Sequence, residues 1–161
     1  CLIVDDEVLG RELIATHLGQ LDQFQVAGSC NSAIQASAFL ARQSVDLIFL
    51  DIEMPVLKGM DFYRNLANKP RVIFTTAYNE YAIKAFEFNA LDYLLKPFTK
   101  SQLLESLTRY KKNRNNSSYN KQGVYNEIIE KLKYNSSLIY FVFFLTYMLV
   151  LNYFSIPKTS V

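Results

Sequence analysis

The chain has 161 residues, half of them apolar, which suffices for one globular domain with its own core and argues against a wholly disordered chain. Two cysteines, Cys1 and Cys30, are too few for a disulfide framework or a zinc site. The net charge of +2 is uneven: residues 1–108 carry nine Lys and Arg against thirteen Asp and Glu, and residues 109–161 carry eight against two. This asymmetry suits a metal-binding module followed by a segment that meets nucleic acid or a membrane surface.

Short apolar runs alternate with segments of helical periodicity over the first two-thirds of the chain. The predicted strands cover residues 1–4, 24–30, 45–50, 72–75 and 93–95. The predicted helices cover residues 9–21, 32–42 with Ser32 as N-cap, a segment after Gly59, 80–88 and 101–112. Five alternating strands and helices predict an α/β fold, a doubly wound five-stranded parallel sheet with helices on both faces.

Polar side chains follow four of these strands at the carboxyl end of the sheet, where function gathers in folds of this kind. They are Asp5 and Asp6, then Asp51, then Thr75 and Thr76, then Lys96. An isolated Asp at a strand end is more often a helix cap, and a Lys before Pro is more often a surface charge. The ordered series at successive strand ends favours a functional site instead.

Three converging carboxylates would repel one another, and Mg²⁺, which prefers carboxylate oxygens and water, relieves that repulsion. With such an ion in place, Asp51 is suited to attack phosphorus as a carboxylate nucleophile. Lys96 is suited to pair with a transferred phosphoryl group, and a threonine hydroxyl to hydrogen-bond it. The pattern therefore predicts phosphoryl transfer by positioning and charge stabilisation.

Four motifs resemble those of a two-component response regulator receiver domain. They are LIVDDE at residues 2–7, LDIEMP at 50–55, TTA at 75–77 and KPF at 96–98. The resemblance covers about residues 1–112 and implies a flavodoxin-like fold with strand order 2-1-3-4-5. The stretch 76–97 is similar to the subfamily whose receiver is joined to a LytTR-type (LytR/AlgR-type) DNA-binding domain.

The resemblance also implies a role for each matching position. Asp51 is implied as the phosphoacceptor, and Asp5, Asp6 and Asp51, with the backbone carbonyl of Glu53, as the Mg²⁺ ligands. Thr76 is implied as the switch hydroxyl, and Tyr93 as the aromatic whose rotamer follows the movement of Thr76. Lys96 is implied as the cation that pairs with the phosphate, and a cis peptide is implied before Pro97. Lys58 departs from the pattern, since many receivers carry Asp there. It lies in a turn after the site, and we expect no effect on phosphorylation.

The implied partners are a sensor histidine kinase and a second copy of the chain. The dimer is expected on phosphorylation, through the face formed by the predicted helix 80–88, the fifth strand and the last helix. The expected location is cytoplasmic, and no turnover enzyme is expected. A phosphatase of the haloacid dehalogenase type would carry Asp two residues after the nucleophile, where this chain has Glu53. A stand-alone receiver that binds a partner protein remains open.

The predicted domain organisation is a receiver at residues 1–112, a polar linker at 113–123 and a remnant or truncated start of an output region at 124–161. The chain opens inside a strand, which we interpret as a missing front. The uncharged run 138–154 has three interpretations: a truncated or frameshifted DNA-binding domain, a membrane segment or a short apolar extension. DNA binding is expected only if a functional output domain is present.

Overall fold

The computed structural model of the protein describes residues 1–78, Tyr81, residues 88–115, Asn126 and Glu130. Five strands of this part form one sheet, paired in parallel throughout in the order β2-β1-β3-β4-β5. The strands are β1 (Leu2–Val4), β2 (Gly28–Cys30), β3 (Leu47–Asp51), β4 (Arg71–Thr76) and β5 (Asp92–Leu95). The predicted fold class and strand order are confirmed.

The helices of the described residues are α1 (Val8–Leu18), α2 (Ala33–Leu40), α3 (Gly59–Arg64) and α4 (Lys100–Asn115). The last of these extends three residues past the end that we predicted. The helix predicted over residues 80–88 lies mostly outside the described residues, and so does nearly all of the segment 116–161. None of the helices in the described ranges combines the length and the apolar character that a membrane crossing requires.

Two apolar clusters cover the two faces of the sheet. Alternate residues of β3 divide between them: Leu47 and Phe49 face one cluster, and Ile48 and Leu50 face the other. Helices α1 and α4 cover the first face, and α2 and α3 cover the second. The central strand is therefore buried on both sides, which explains its nearly continuous apolar sequence.

Helix α1 presents a narrower apolar face to the sheet than its sequence predicts. Ile14 and Leu18 are buried, whereas Leu9 is 79% exposed and Leu13 is 41% exposed. The inward positions are 10, 14 and 18, because a side-chain carbon at Gly10 would lie only 2.7 Å from a carboxylate oxygen of Asp5. Leu9 and Leu13 are thus rotated away from the sheet by about 100°, the turn per residue of a helix of 3.6 residues per turn.

Strand β2 is shorter than the predicted run 24–30. Only its last three residues pair with β1. Phe24 is nevertheless buried, since it packs in the core with its ring 5.9 Å from the ring of Tyr110. Phe24 is apolar because its side chain packs in the core, although its backbone is not part of a strand.

The turn after β3 depends on a glycine. The amide of Gly59 donates a hydrogen bond of 2.8 Å to the carbonyl of Ile52. A Cβ at position 59 would lie 1.9 Å from the backbone oxygen of Asp51, a distance at which the backbone would have to move. The absence of a side chain at Gly59 therefore lets α3 begin directly against the end of β3.

Candidate phosphorylation site

The sheet register brings the predicted site residues to one edge. Leu50 pairs with Val4 on one side and with Phe74 on the other. Thr76, at the end of β4, pairs with Leu95, the residue before Lys96. Because all of these strands are parallel, the side chains that follow their carboxyl ends share a small volume.

Three carboxylates form what we call the acidic cluster: Asp5, Asp6 and Asp51. Each offers an oxygen within 4.8 Å of the others. Asp5 and Asp51 are buried, whereas Asp6 is exposed. The sequence prediction that these residues converge is confirmed by the geometry, and the exposed member leaves the cluster open to solvent on one side.

The ammonium group of Lys96 is the cation of the cluster. Its Nζ lies 2.7 Å from Oδ2 of Asp51, 2.8 Å from Oδ2 of Asp5 and 3.2 Å from Oε2 of Glu7. The Lys96 side chain is only 16% exposed, so these contacts are shielded from water. One positive charge therefore faces two buried carboxylates, and the site keeps an excess of negative charge.

The burial of the site changes the protonation of Asp51. Desolvation raises the pKa of Asp51 to about 6, with repulsion from Asp5 in the same direction and the hydrogen bond from Lys96 opposing it. Burial lowers the pKa of Lys96, but hydrogen bonds with Asp5 and Asp51 outweigh it and hold that pKa above its ordinary value. Lys96 thus stays charged, and a further cation beside Asp51 would stabilise the ionised form of its carboxylate.

Backbone groups orient the two buried carboxylates. The amide of Glu7 donates to Oδ1 of Asp5 at 3.0 Å, and the amide of Glu53 donates to Oδ1 of Asp51 at 3.1 Å. Arg11, which the sequence did not single out, donates from Nη1 to the carbonyls of Asp5 (2.7 Å) and Asp6 (3.1 Å). Arg11 lies one turn into α1, and no periodicity in the sequence indicates that it contacts these carbonyls.

The two predicted switch residues are buried and meet at Tyr78. Oγ1 of Thr76 accepts a hydrogen bond of 3.3 Å from the amide of Tyr78, and the hydroxyl of Tyr93 donates to the carbonyl of Tyr78. The peptide bond between Lys96 and Pro97 is cis, as expected. His17, half-buried on α1, lies on a helix and not among the strand-end residues.

Lys58 is not an isolated surface charge. Its Nζ lies 2.8 Å from Oε1 of Glu53 and donates to the hydroxyl of Tyr81 at 3.2 Å. Hydrogen bonds from Lys58 and Tyr81 hold the pKa of the Glu53 carboxyl below its usual range. The sequence offered no signal for this contact, because Tyr81 lies 23 residues away from Lys58.

The donor set of the acidic cluster fits a hard divalent cation. Oδ2 of Asp5 is buried and lies 2.8 Å from the Lys96 ammonium. Three carboxylates, one of them open to water, match the preference of Mg²⁺ for a few carboxylate oxygens and retained water molecules. The residues present are therefore suited to Mg²⁺.

The chain is similar in sequence to a known family and to several known proteins. A family model described as "Response regulator receiver domain" matches residues 1–108. An uncharacterized response regulatory protein of Shewanella oneidensis is 41% identical over 114 residues, or 70% of this chain and 48% of that protein. The transcriptional regulatory protein BtsR of Escherichia coli is 39% identical over 115 residues, with the same coverage. The chain thus spans about half the length of the curated relatives that it matches.

Solved structures agree in fold. The response regulatory domain of mrkE from Klebsiella pneumoniae is 35% identical with a TM-score of 0.64, covering 69% of this chain and 93% of that one. The REC domain of AraT from Geobacillus stearothermophilus is 29% identical with a TM-score of 0.62, covering 70% and 93%. Both are receiver domains, which matches the observed sheet order.

Proposed function

Because this chain belongs to the response regulator receiver domain family, which its residues 1–108 match, we propose that it is a phosphorylation switch with Asp51 as the phosphoacceptor. The family is regulatory, and the chain is not an enzyme. The observation that carries the proposal is the pairing of Asp51 with Lys96 at 2.7 Å beside the carboxylates of Asp5 and Asp6. This arrangement combines a nucleophile, a cation for the phosphoryl group and a site for a metal.

Asp5, Asp6 and Asp51, with the backbone carbonyl of Glu53, would hold Mg²⁺. When bound, Mg²⁺ offsets the negative charge on an incoming phosphoryl group. A carboxylate oxygen of Asp51 attacks phosphorus while the bond from phosphorus to the donor's histidine nitrogen breaks, and that nitrogen keeps the electron pair. Lys96 then pairs with a phosphoryl oxygen, for which its ammonium is already positioned.

The switch of this proposal runs through Thr76 and Tyr93. The hydroxyl of Thr76 moves toward the phosphoryl group and gives up the amide of Tyr78, its partner at 3.3 Å. Tyr93 responds because its own hydroxyl binds the carbonyl of the same residue, Tyr78. Phosphorylation thereby shifts the populations of two arrangements of the surface next to β5.

The proposed context is a two-component system. A sensor histidine kinase donates the phosphoryl group, and the phosphorylated chain dimerises through the face of β5, the last helix and the predicted helix 80–88, in the cytoplasm. Transcriptional output is supported by the relative named transcriptional regulatory protein BtsR. A LytTR-type output domain is what the resemblance of residues 76–97 implies. Since the chain spans about half of that relative, DNA binding belongs to the longer protein in this proposal.

For this chain we keep the division into a receiver (1–112), a linker (113–123) and the start of an output region (124–161). Output through binding of a partner protein is the second candidate. A DNA-binding assay on the 161-residue chain tests whether this chain binds DNA by itself, since such binding would weaken steeply with salt.

The primary test is phosphorylation of the purified chain with acetyl phosphate, read by intact mass. We expect a gain of one phosphoryl group that requires Mg²⁺ and is lost in Asp51→Asn. Lys96→Met, which removes the cation, should slow the gain. An unmodified wild-type mass at saturating Mg²⁺ would contradict the assignment of Asp51.

A further inference from the structure

Lys58 contacts Glu53 on the solvent side of the site. The ammonium lies 2.8 Å from Oε1 of Glu53, and the two side chains are 52% and 31% exposed. The same ammonium donates to the hydroxyl of Tyr81 and lies 5.6 Å from the centre of its ring. The Tyr81 hydroxyl also bonds the Glu53 carboxylate. Two donors therefore hold this carboxylate in one place.

Glu53 is close to the acidic cluster through its backbone but not through its side chain. Its amide donates to Oδ1 of Asp51 at 3.1 Å, so the residue lies directly beside the phosphoacceptor. The carboxylates that lie within 4.8 Å of one another are those of Asp5, Asp6 and Asp51, and Glu53 is not among them. Its carboxylate is turned toward Lys58 instead.

From these contacts we infer that Lys58 is a positioning residue that keeps the Glu53 carboxylate out of the acidic cluster and so limits the affinity of the cluster for divalent cations. The inference rests on the proposed function only in taking the cluster as a cation site. Lys58 touches neither the cation nor the phosphoryl group. It acts through Glu53.

The expected size of the effect follows from the exposure of the pair. An exposed ion pair is weak, so loss of Lys58 changes the distribution of Glu53 conformations without altering the fold. A released Glu53 carboxylate adds one negative charge near a divalent cation, which strengthens binding about threefold in screened, water-like surroundings. A fourth carboxylate also favours Ca²⁺, which accepts more ligands than Mg²⁺.

The test is direct binding of Mn²⁺ to the intact chain without any phosphodonor, read from the electron paramagnetic resonance signal of free Mn²⁺ and by competition with Mg²⁺. Lys58→Met removes the charge and keeps the aliphatic stem. We expect its Mn²⁺ dissociation constant to fall about threefold. Lys58→Arg, which can still bind Glu53, should match the wild type.

A second background separates the tether from the charge of Lys58 itself. In Glu53→Gln there is no carboxylate to release, so adding Lys58→Met should strengthen Mn²⁺ binding by less than it does in the wild-type background. An equal shift in the two backgrounds, or an unchanged or weaker affinity in Lys58→Met alone, overturns the inference. Thermal melts of all four variants confirm that each is folded.

The two proposals fail separately in this design. If the wild-type chain binds Mn²⁺ but gains no phosphoryl group from acetyl phosphate, the proposed function is contradicted. The role of Lys58 is then decided by the Mn²⁺ binding data alone. Normal phosphorylation of Asp51 combined with equal Mn²⁺ affinities in wild type and Lys58→Met overturns only the role of Lys58.

Discussion

Asp51 carries its reactive carboxylate in a poorly hydrated position, where only 4% of the residue is exposed. Desolvation raises its pKa to about 6, so its charge destabilises the fold at neutral pH when no metal is bound. We expect Asp51→Asn, which keeps the shape and removes the charge, to increase the free energy of unfolding by about 3 kcal/mol at pH 7.5. Urea denaturation in EDTA measures the difference.

The gain from Asp51→Asn should depend on pH in a defined direction. The pKa of the folded state lies above the unfolded value of 3.8, so between these values the folded protein binds more protons. Stability from this group is therefore lost as the pH rises from about 4 to about 6. The advantage of Asp51→Asn should shrink toward zero near pH 4, and an advantage independent of pH would contradict this origin.

Val56 lies in the turn after the site with an unusual backbone. Its φ of 71° is in the left-handed region, which is unfavourable for a β-branched residue, and its side chain is 94% exposed, so no packing offsets the strain. We expect Val56→Gly to raise the free energy of unfolding by about 1 kcal/mol. Thermal unfolding measures this change. Val56→Ala, which retains a Cβ, should recover less, and a lower melting temperature for Val56→Gly would refute the strain.

At the scale of elements, a buried ion pair joins β5 to α4. Arg109 Nη1 lies 3.0 Å from Oδ1 of Asp92, whose side chain is fully buried. Ser106 donates to the other oxygen, and the amide of Tyr93 donates to Oδ1. This pair fixes the last helix against the strand that precedes Lys96.

We expect Arg109→Met to destabilise the fold by about 3 kcal/mol, because it leaves the Asp92 charge buried without its cation. The double variant Asp92→Asn with Arg109→Met should be more stable than Arg109→Met alone, since no uncompensated charge remains. Chemical denaturation of the single and double variants measures the coupling. Additive losses would mean that the two residues act independently.

The elements show how far sequence patterns reach. All five strands were predicted from short apolar runs between polar turns, although β2 (Gly28–Cys30) holds only the end of its predicted run, and the carboxyl-end residues followed from the parallel sheet. On α1 apolar spacing alone does not identify the buried face, because Gly10 and not Leu9 faces Asp5. Phe24 was predicted in a strand because a buried aromatic in an irregular segment has the same local signature.

At the scale of the whole molecule, the acidic cluster could be predicted but its supporting contacts could not. Asp5, Asp51 and Lys96 sit at strand ends, so topology alone brings them together. The contacts of Arg11 and Lys58 depend on the conformations that these long side chains adopt in the folded protein. Sequence periodicity does not predict those conformations. Contacts of this second kind determine how tightly the loops hold the carboxylates.

The proposed cation site exists only in the folded chain. Asp5 and Asp51 are 46 positions apart in sequence, and the fold brings their oxygens and that of Asp6 within 4.8 Å. Unfolding separates them, so Mg²⁺ should bind the folded state selectively and stabilise it. At ten times its dissociation constant, the gain is about 1.4 kcal/mol.

We therefore expect saturating MgCl₂ to raise the melting temperature by about 5 °C over that in EDTA. NaCl at matched ionic strength is the control, because general screening also relieves repulsion among the three carboxylates. Asp6→Asn, which removes an exposed ligand without disturbing the core, should lose most of the Mg²⁺ effect and little of the stability in EDTA. Equal melting temperatures in MgCl₂ and matched NaCl would mean that the cluster holds no specific cation, and its excess charge would then be balanced by Lys96 and solvent alone.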